Sequence, residues 1–490
     1  MGHVDHFLEG FFTPGSVAVV GATRNPMSIN YQLTSNLVQL GFEGKIYPVN
    51  TSAEEICGIK AFPRLSEVPD PIDLVVTAVP ASSTLEVVRQ CDSLGIKQLV
   101  IVSGGFSEGG KEGRKLHNEI ESFIRERGIR TLGPNTLSPI NTANNLAVSF
   151  NRVKKMKRGG LSFAFQSGFY DPKINWLFSG LGINKILDMG NKMNINEVDA
   201  LEYFGLDPDT RIIAMHIESL RGDAREFYRI LKKVSAQKPT IILKSGRTRT
   251  GSKVAASHTG AIAGENDLIF DGMIKQTAAI RAQNQEEFFD LAKAFEFLEP
   301  PRGGNLAIIM MSGGEGVMAT DACEMNGLKP ADLGDDTYQR LKKIMPPWEM
   351  PRNPFDLGVS MQFHMSDPVA FFDALSAIPE DENVHCGIMQ MTPNLDAFIR
   401  SNTGLPDDVA DSVLEVFTQG QVNMKRSGKP FILWRSSLDK SDDEWIETIE
   451  SRGMPVFRSS ERAIRALAAM NTYRLRSTAG ATQTSNSDAH

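Results

Sequence analysis

The chain has 490 residues, of which 41% are hydrophobic and 23% charged, and a formal net charge of −7. That length exceeds one core and suggests roughly three or four domains. The acidic balance excludes a nucleic-acid-binding class, which needs a basic face, and no segment approaches the roughly 18 apolar residues of a membrane span.

Cys57, Cys91, Cys323 and Cys386 lie far apart with no CxxC spacing, so neither a disulfide framework nor a structural zinc site is expected. The N-terminus, MGHVDHFLEGFF, carries Asp5 and Glu9 where a signal peptide needs a basic start. A reduced, cytoplasmic protein is expected.

A first module spans 8–145. Apolar runs at 16–20 (SVAVV), 45–50, 74–80, 98–105 and 129–135 alternate with stretches of helical spacing, such as Leu116, Ile120, Phe123 and Ile124. Strand–helix alternation of this kind implies right-handed crossovers, a parallel sheet, and ligands at the strand C-terminal ends. After a short basic linker (Lys154, Lys155, Lys157, Arg158) the pattern restarts, and a second module is expected over 158–300 with strands at 161–165, 184–188, 211–217 and 239–244. The Pro/Gly-rich EPPRGGN (299–305) reads as a second linker. A third module follows over 305–475, with strands at 306–311, 386–391 and 430–434, and residues 476–490 read as a disordered tail. The fold class is α/β, three tandem modules.

Four of the apolar runs pass directly into small-residue turns: VVGAT (19–23), AFQSG (164–168), LKSGRT (243–248) and MMSGGEG (310–316). Such turns let backbone N–H groups approach an anion at the start of a helix. In the second module the shared sheet edge gathers Gln166, Ser167 and Gly168 after one strand and Glu218 after another. Lys244 and Ser245 follow a third, ahead of a Gly/Ala/Ser loop that carries His258. A neutral imidazole can attack phosphorus while a carboxylate fixes its tautomer, and a helix N-terminus can then hold the phosphate. Spacing alone leaves a solvated surface histidine as the alternative. His216, among Ile212, Ile213, Met215 and Ile217, reads as a buried, hydrogen-bonded residue.

The segment SHTGAIAG (257–264), with SVAVVGATRNP (16–26), KIYPVN (45–50), LGPNTLSPINT (132–142), LDMGNKMNINEVDALEYF (187–204) and NPFDL (353–357), resembles the α chain of ADP-forming acyl-CoA synthetases. These belong to the succinyl-CoA synthetase superfamily, and the resemblance covers about residues 8–472 in order. It implies a Rossmann-like CoA-binding domain followed by two flavodoxin-like ligase domains. His258 would be the phosphorylated histidine and Glu218 its orienting carboxylate. Gln166, Ser167 and Gly168 would form one phosphate-binding helix start; Ser312, Gly313, Gly314 and Gly316 would open the opposing one. Gly21, Ala22, Thr23 and Arg24 would cradle the CoA phosphates, with Asn50, Pro80, Ser103 and Asn135 lining the rest. The implied reaction joins a carboxylic acid to CoA at the expense of ATP, through acyl phosphate and phosphohistidine. The chain shows no ATP-grasp module, so ATP/ADP and Mg²⁺ are expected on a separate β subunit in an α₂β₂-type assembly.

One departure stands beside the phosphate motif. Where the family places small residues after QSG, this chain has Phe169, Tyr170, Asp171 and Pro172. Phe169 and Tyr170 are expected to line a reshaped acyl pocket; the alternative is a non-catalytic CoA-binding or regulatory protein of the same fold. Asp171 would add an unfavourable charge unless it points away. A nicotinamide oxidoreductase fits poorly, since KIYPVN offers Lys45 and Asn50 where a ribose-binding acid is needed.

Overall fold

The structure is a computed structural model describing residues 4–166, 168–259, 266–349, 352–364, 368–391, 406, 408, 426–435 and 442–487. It divides into two compact units, Met1–Phe288 and Phe289–His490.

The first unit holds two sheets. One is five-stranded and parallel, in the order Lys45–Val49, Ser16–Val20, Leu74–Thr77, Gln98–Ile101, Arg130–Leu132. Its unbroken apolar runs follow from burial on both faces: Val17, Val19, Leu74 and Val76 enter one core cluster, Ala18, Val75, Leu99 and Ile101 another. Chain order reverses direction between Ser16–Val20 and Leu74–Thr77, the switch point at which such sheets bind ligands.

The second sheet has seven strands in the order Ile280–Ala282, Thr240–Lys244, Ile212–Ile217, Arg158–Phe165, Ile183–Asp188, Ile140–Asn141, Leu146–Ala147. The first five run parallel, and the last two form an antiparallel hairpin on the edge. This hairpin crosses the boundary expected at 145. Asn145 takes a left-handed φ of 58° at its turn, and Asn141 and Asn144 both donate to Phe12 O, tying the N-terminal helix Glu9–Phe12 to the second sheet.

The break between units also differs from the linker expected at 299–305. It falls inside the helix Gln285–Phe297, because the later residues of that helix have partners in the second unit. Arg462 grips both oxygens of Asp290, at 2.6 and 2.7 Å, and Lys293 Nζ donates to Val456 O. Here the parallel order is Lys329–Pro330, Asn305–Met310, Cys386–Gln390, Phe431–Trp434, Val456–Phe457, with Phe355–Asp356 paired to Asn305–Met310. The closing helix runs Ser460–Ser487, so 476–487 continue it where an unstructured tail is expected. Buried Ala463, Ile464, Leu467 and Met470 anchor its first turns, and extending a nucleated helix is easier than starting one. Among the described residues no helix is long and apolar enough to cross a membrane.

Candidate active site

In the first sheet every strand delivers a residue of the expected nucleotide cradle at its C-terminal end. Gly21 follows Ser16–Val20 with φ 85°, a left-handed conformation, and its N–H donates to Val49 O. A β-carbon there would sit 3.2 Å from the Ala78 carbonyl carbon, so the turn needs glycine for space as well as angle. Asn50 Nδ2 reaches back to Ala22 O at 2.8 Å, and Thr23 Oγ1 accepts from Asn25 N. Arg24 is exposed and available to an anion. Pro80 is the N-cap residue of the helix Ala81–Ser93, where proline's missing N–H costs nothing. Ser103 Oγ donates to Val79 O, and Asn135, left-handed at φ 59°, donates its N–H to Ser103 O. Sequence reasoning missed Asn30, whose Nδ2 spans the switch point by donating to both Gly21 O and Ala78 O.

In the second sheet the switch point lies at Arg158–Phe165, whose neighbours are Ile212–Ile217 and Ile183–Asp188. This topology brings Gln166 to Glu218. The Gln166 side-chain oxygen accepts from Glu218 N at 2.8 Å, Ser219 N at 3.0 Å and Lys192 Nζ at 2.9 Å. With three donors on it, Gln166 Oε1 holds the protein's own loop. Lys244 Nζ donates to Glu218 O at 2.7 Å and to Ser245 O. His216 is buried, with Nε2 3.0 Å from Ser245 Oγ, and burial with nearby Lys244 and Lys192 lowers its pKa to about 4.

His258 sits on a helix, Arg249–Thr259, where a mobile loop is expected. Thr248 starts it: its Oγ1 accepts from Gly251 N at 3.0 Å, the capping bond an exposed first turn requires. The His258 side chain, Ser167, the Phe169 side chain and residues 260–265 lie outside the described residues. Gly168 opens a 3₁₀ turn over Gly168–Lys173.

Tyr170 is the clearest correction. It is 0% exposed, its ring stacks on Phe165 at 4.4 Å and its hydroxyl donates to Leu137 O at 2.6 Å, so it is core and not acyl-pocket lining. Asp171 points away from the motif, accepting from Ser149 Oγ and Asn151 Nδ2, while burial raises its pKa. A second buried acid, Asp188, ends the strand Ile183–Asp188 beside Gly168. Burial pushes its pKa up to about 7 against the N–H groups of Gly190 and Leu137, which favour the ion.

In the second unit, Ser312 has extended backbone (φ −153°) and stands at the N-cap position of the helix Gly313–Met325, its hydroxyl donating to Glu315. Ser312, Gly313 and Gly316 line a cavity of about 590 Å³ with Trp348, Arg352 and Asp356. No neighbour lies within 4 Å of a β-carbon at Gly314, whereas one at Gly316 would meet Pro354 at 3.1 Å. Gln390 repeats the part of Gln166, accepting from Met311 N at 2.7 Å while its Nε2 donates to Glu315 Oε1.

Comparison with known proteins bears on these two kinds of site. Residues 15–141 match the family model of a CoA binding domain, and 158–295 that of the succinyl-CoA ligase like flavodoxin domain. The acetate–CoA ligase [ADP-forming] I subunit alpha of Pyrococcus furiosus is 36% identical over 469 residues, covering 94% of this chain and 97% of its own. The acetate–CoA ligase [ADP-forming] II of Archaeoglobus fulgidus is 33% identical over 95% of this chain, which spans 67% of that longer protein. Among solved structures, dinucleotide forming acetyl-coenzyme A synthetase 1 of Ca. Korarchaeum cryptofilum, in complex with phosphate and ADP, aligns with a TM-score of 0.83. It is 29% identical and the match covers 97% of this chain and 98% of that one. A CoA-binding domain followed by such a ligase domain defines an acid–thiol ligase. The chain belongs to the ADP-forming acyl-CoA synthetases and is of their α-subunit type. These relatives are named for catalysis, which favours the catalytic reading over the regulatory one.

Proposed function

We propose that the chain carries out the CoA and phosphoryl-carrier steps of ADP-forming acyl-CoA synthesis, with His258 as carrier and Glu218 as its orienting carboxylate. In the acyl-CoA-consuming direction, phosphate attacks the thioester carbon and CoA leaves as the thiol. A His258 ring nitrogen then takes phosphorus from the acyl phosphate, the carboxylate leaves, and the phosphohistidine passes its phosphoryl group to ADP. CoA would lie on the first sheet, its phosphates at the Gly21–Arg24 turn and its remaining length along Asn50, Pro80, Ser103 and Asn135. ADP and Mg²⁺ would be held by an ATP-grasp β chain in an α₂β₂-type assembly. The P. furiosus relative, named as an alpha subunit and covered over 97% of its length, supports that division. Four free cysteines agree with a reducing, cytoplasmic setting.

One observation carries the reading. Gln166 Oε1 accepts the N–H of Glu218 at the sheet's switch point, and the neighbouring strand Thr240–Lys244 precedes the helix Arg249–Thr259, which includes His258; this proximity supports the reading. Mixing the purified chain with acyl-CoA and phosphate is expected to give an acid-labile phosphate on His258 by mass spectrometry. His258→Asn should abolish the adduct and leave CoA affinity within about twofold. Full CoA binding by the wild-type chain with no adduct at any acyl-CoA tried would sink the proposal.

A further inference from the structure

We propose that Lys192 and Glu197 form a buried positioning pair that, through Gln166, fixes the backbone of Glu218 for phosphoryl transfer; the inference rests on the His258/Glu218 reading above.

The loop after Ile212–Ile217 leaves the sheet, so its N–H and C=O groups lose their ladder partners and need others. Lys192 and Glu197 provide them. Lys192 Nζ donates to Gln166 Oε1 (2.9 Å), to Glu197 Oε2 (2.7 Å) and to Ser219 O. Gln166 Oε1 takes the N–H groups of Glu218 and Ser219, and Glu197 Oε1 takes those of Arg221 (2.7 Å) and Gly222 (2.9 Å). From Glu218 to Gly222 the loop is therefore held at both ends by one connected polar cluster. A lysine ammonium on the amide oxygen also polarises the amide, which strengthens donation by Gln166 Nε2 to Ser219 Oγ at 3.2 Å.

Stability alone is a poor reason for this arrangement. Lys192 is 2% and Glu197 0% exposed, and replacing a buried ion pair by an apolar pair of similar volume is often neutral or favourable. Lys192 also takes a left-handed φ of 54°, a conformation that a residue with a β-carbon adopts only when its surroundings impose it. What the pair contributes is direction. It sets where Glu218 stands relative to the Gln166–Gly168 turn, and sub-ångström placement controls transfer rates.

The test compares wild type with the double variant Lys192→Met/Glu197→Gln, which removes both charges of the pair together. Expected is a folded chain with CoA affinity and the apparent KM for CoA within twofold of wild type. Its single-turnover rate of phosphohistidine formation should be at least thirtyfold lower. A folded double variant within threefold of the wild-type rate would overturn the proposal. Gln166→Leu keeps the ion pair and so guards against failure of the double variant to fold; it is expected to show the same rate loss, and an unchanged rate would be equally fatal. Should wild type itself form no adduct, the His258 reading has failed and the pair is judged on hydrogen exchange instead. Amides 218–222 are expected to lose at least tenfold protection in the folded variant, and wild-type protection there refutes a positioning role.

Discussion

The Asp188 carboxylate accepts the backbone N–H of Leu137 at 3.0 Å with one oxygen and that of Gly190 at 3.0 Å with the other. Two residues from different parts of the chain thus meet at a buried acid whose main-chain oxygen also receives the Thr136 and Ser138 hydroxyls. Gly168, the last residue of the expected phosphate turn, lies next door.

This acid gives a signed pH dependence. Folded, its pKa is about 7; its ordinary value is 3.8. Between those values the unfolded chain has released a proton that the folded chain retains, so raising the pH through this window favours unfolding. The stabilisation is complete below the ordinary value and gone above about 7. Asp188→Asn cannot ionise and should start less stable at low pH, because one oxygen then serves two donors. Its deficit should shrink by up to the order of 4 kcal/mol as pH rises to 8. Thermal melts of both proteins across that range check it, and parallel profiles would mean that folding does not raise the Asp188 pKa.

His216 slopes the other way. Its folded pKa of about 4 lies below the ordinary 6.5, so the folded ring stays neutral where the unfolded one takes a proton. Its contribution is present above 6.5 and lost as pH falls through about 4. Over much of one window the two groups offset each other, and the wild-type stability profile should look flatter than either alone. His216→Gln should remove an acid-side loss on the order of 3 kcal/mol, visible as a wild-type-minus-variant difference that narrows below pH 6.

Tyr170→Phe separates core from pocket. The hydroxyl's bond to Leu137 O is worth about 1 kcal/mol, and the ring's stacking on Phe165 survives the change. Stability should drop by that amount while the ranking of carboxylic acids used by the assembled enzyme stays the same. A changed ranking would return Tyr170 to the acyl pocket.

How legible these features were in the sequence follows from their physics. Runs such as Val17–Val20 and Leu306–Met310 announce strands because both faces are buried and nothing polar interrupts them. The hairpin Ile140–Asn141/Leu146–Ala147 is too short to show any periodicity, so its pairing with the second sheet could not be read. The helix Arg249–Thr259 is built mostly of small and polar residues and rests on a Thr248 cap, a local bond that composition reports poorly. Tyr170 misled because an aromatic residue beside a phosphate motif suggests pocket lining, whereas three-dimensional packing puts the ring inward. Lys192 and Glu197 were invisible for a different reason. An ionisable residue in a polar stretch reads as solvated, and only the fold reveals that GNK (190–192) turns into the interior. The strand-end positions of Gly21, Asn50, Pro80, Ser103 and Asn135 were the most legible part, since a parallel sheet brings whatever follows its strands to one edge.

Gly21 offers the sharpest check on that cradle. Alanine there would meet two obstacles: a φ of 85°, and a β-carbon 3.2 Å from Ala78 C and 3.3 Å from Val79 Cγ1. Left-handed backbone alone costs about 1–2 kcal/mol for a residue with a β-carbon. Gly41, the C-cap of Tyr31–Leu40, shares the angle at φ 74° but has no neighbour within 4 Å of such a carbon. Gly41→Ala should therefore reproduce the backbone strain without moving the turn, lowering stability and leaving CoA affinity intact. Gly21→Ala should lower stability further and weaken CoA at least about tenfold, because relief of the Ala78 contact displaces the N–H groups of Ala22 and Thr23. Calorimetric titration of both variants with CoA decides the matter. Equal affinities in the two would mean that the turn at Gly21 does not hold the nucleotide.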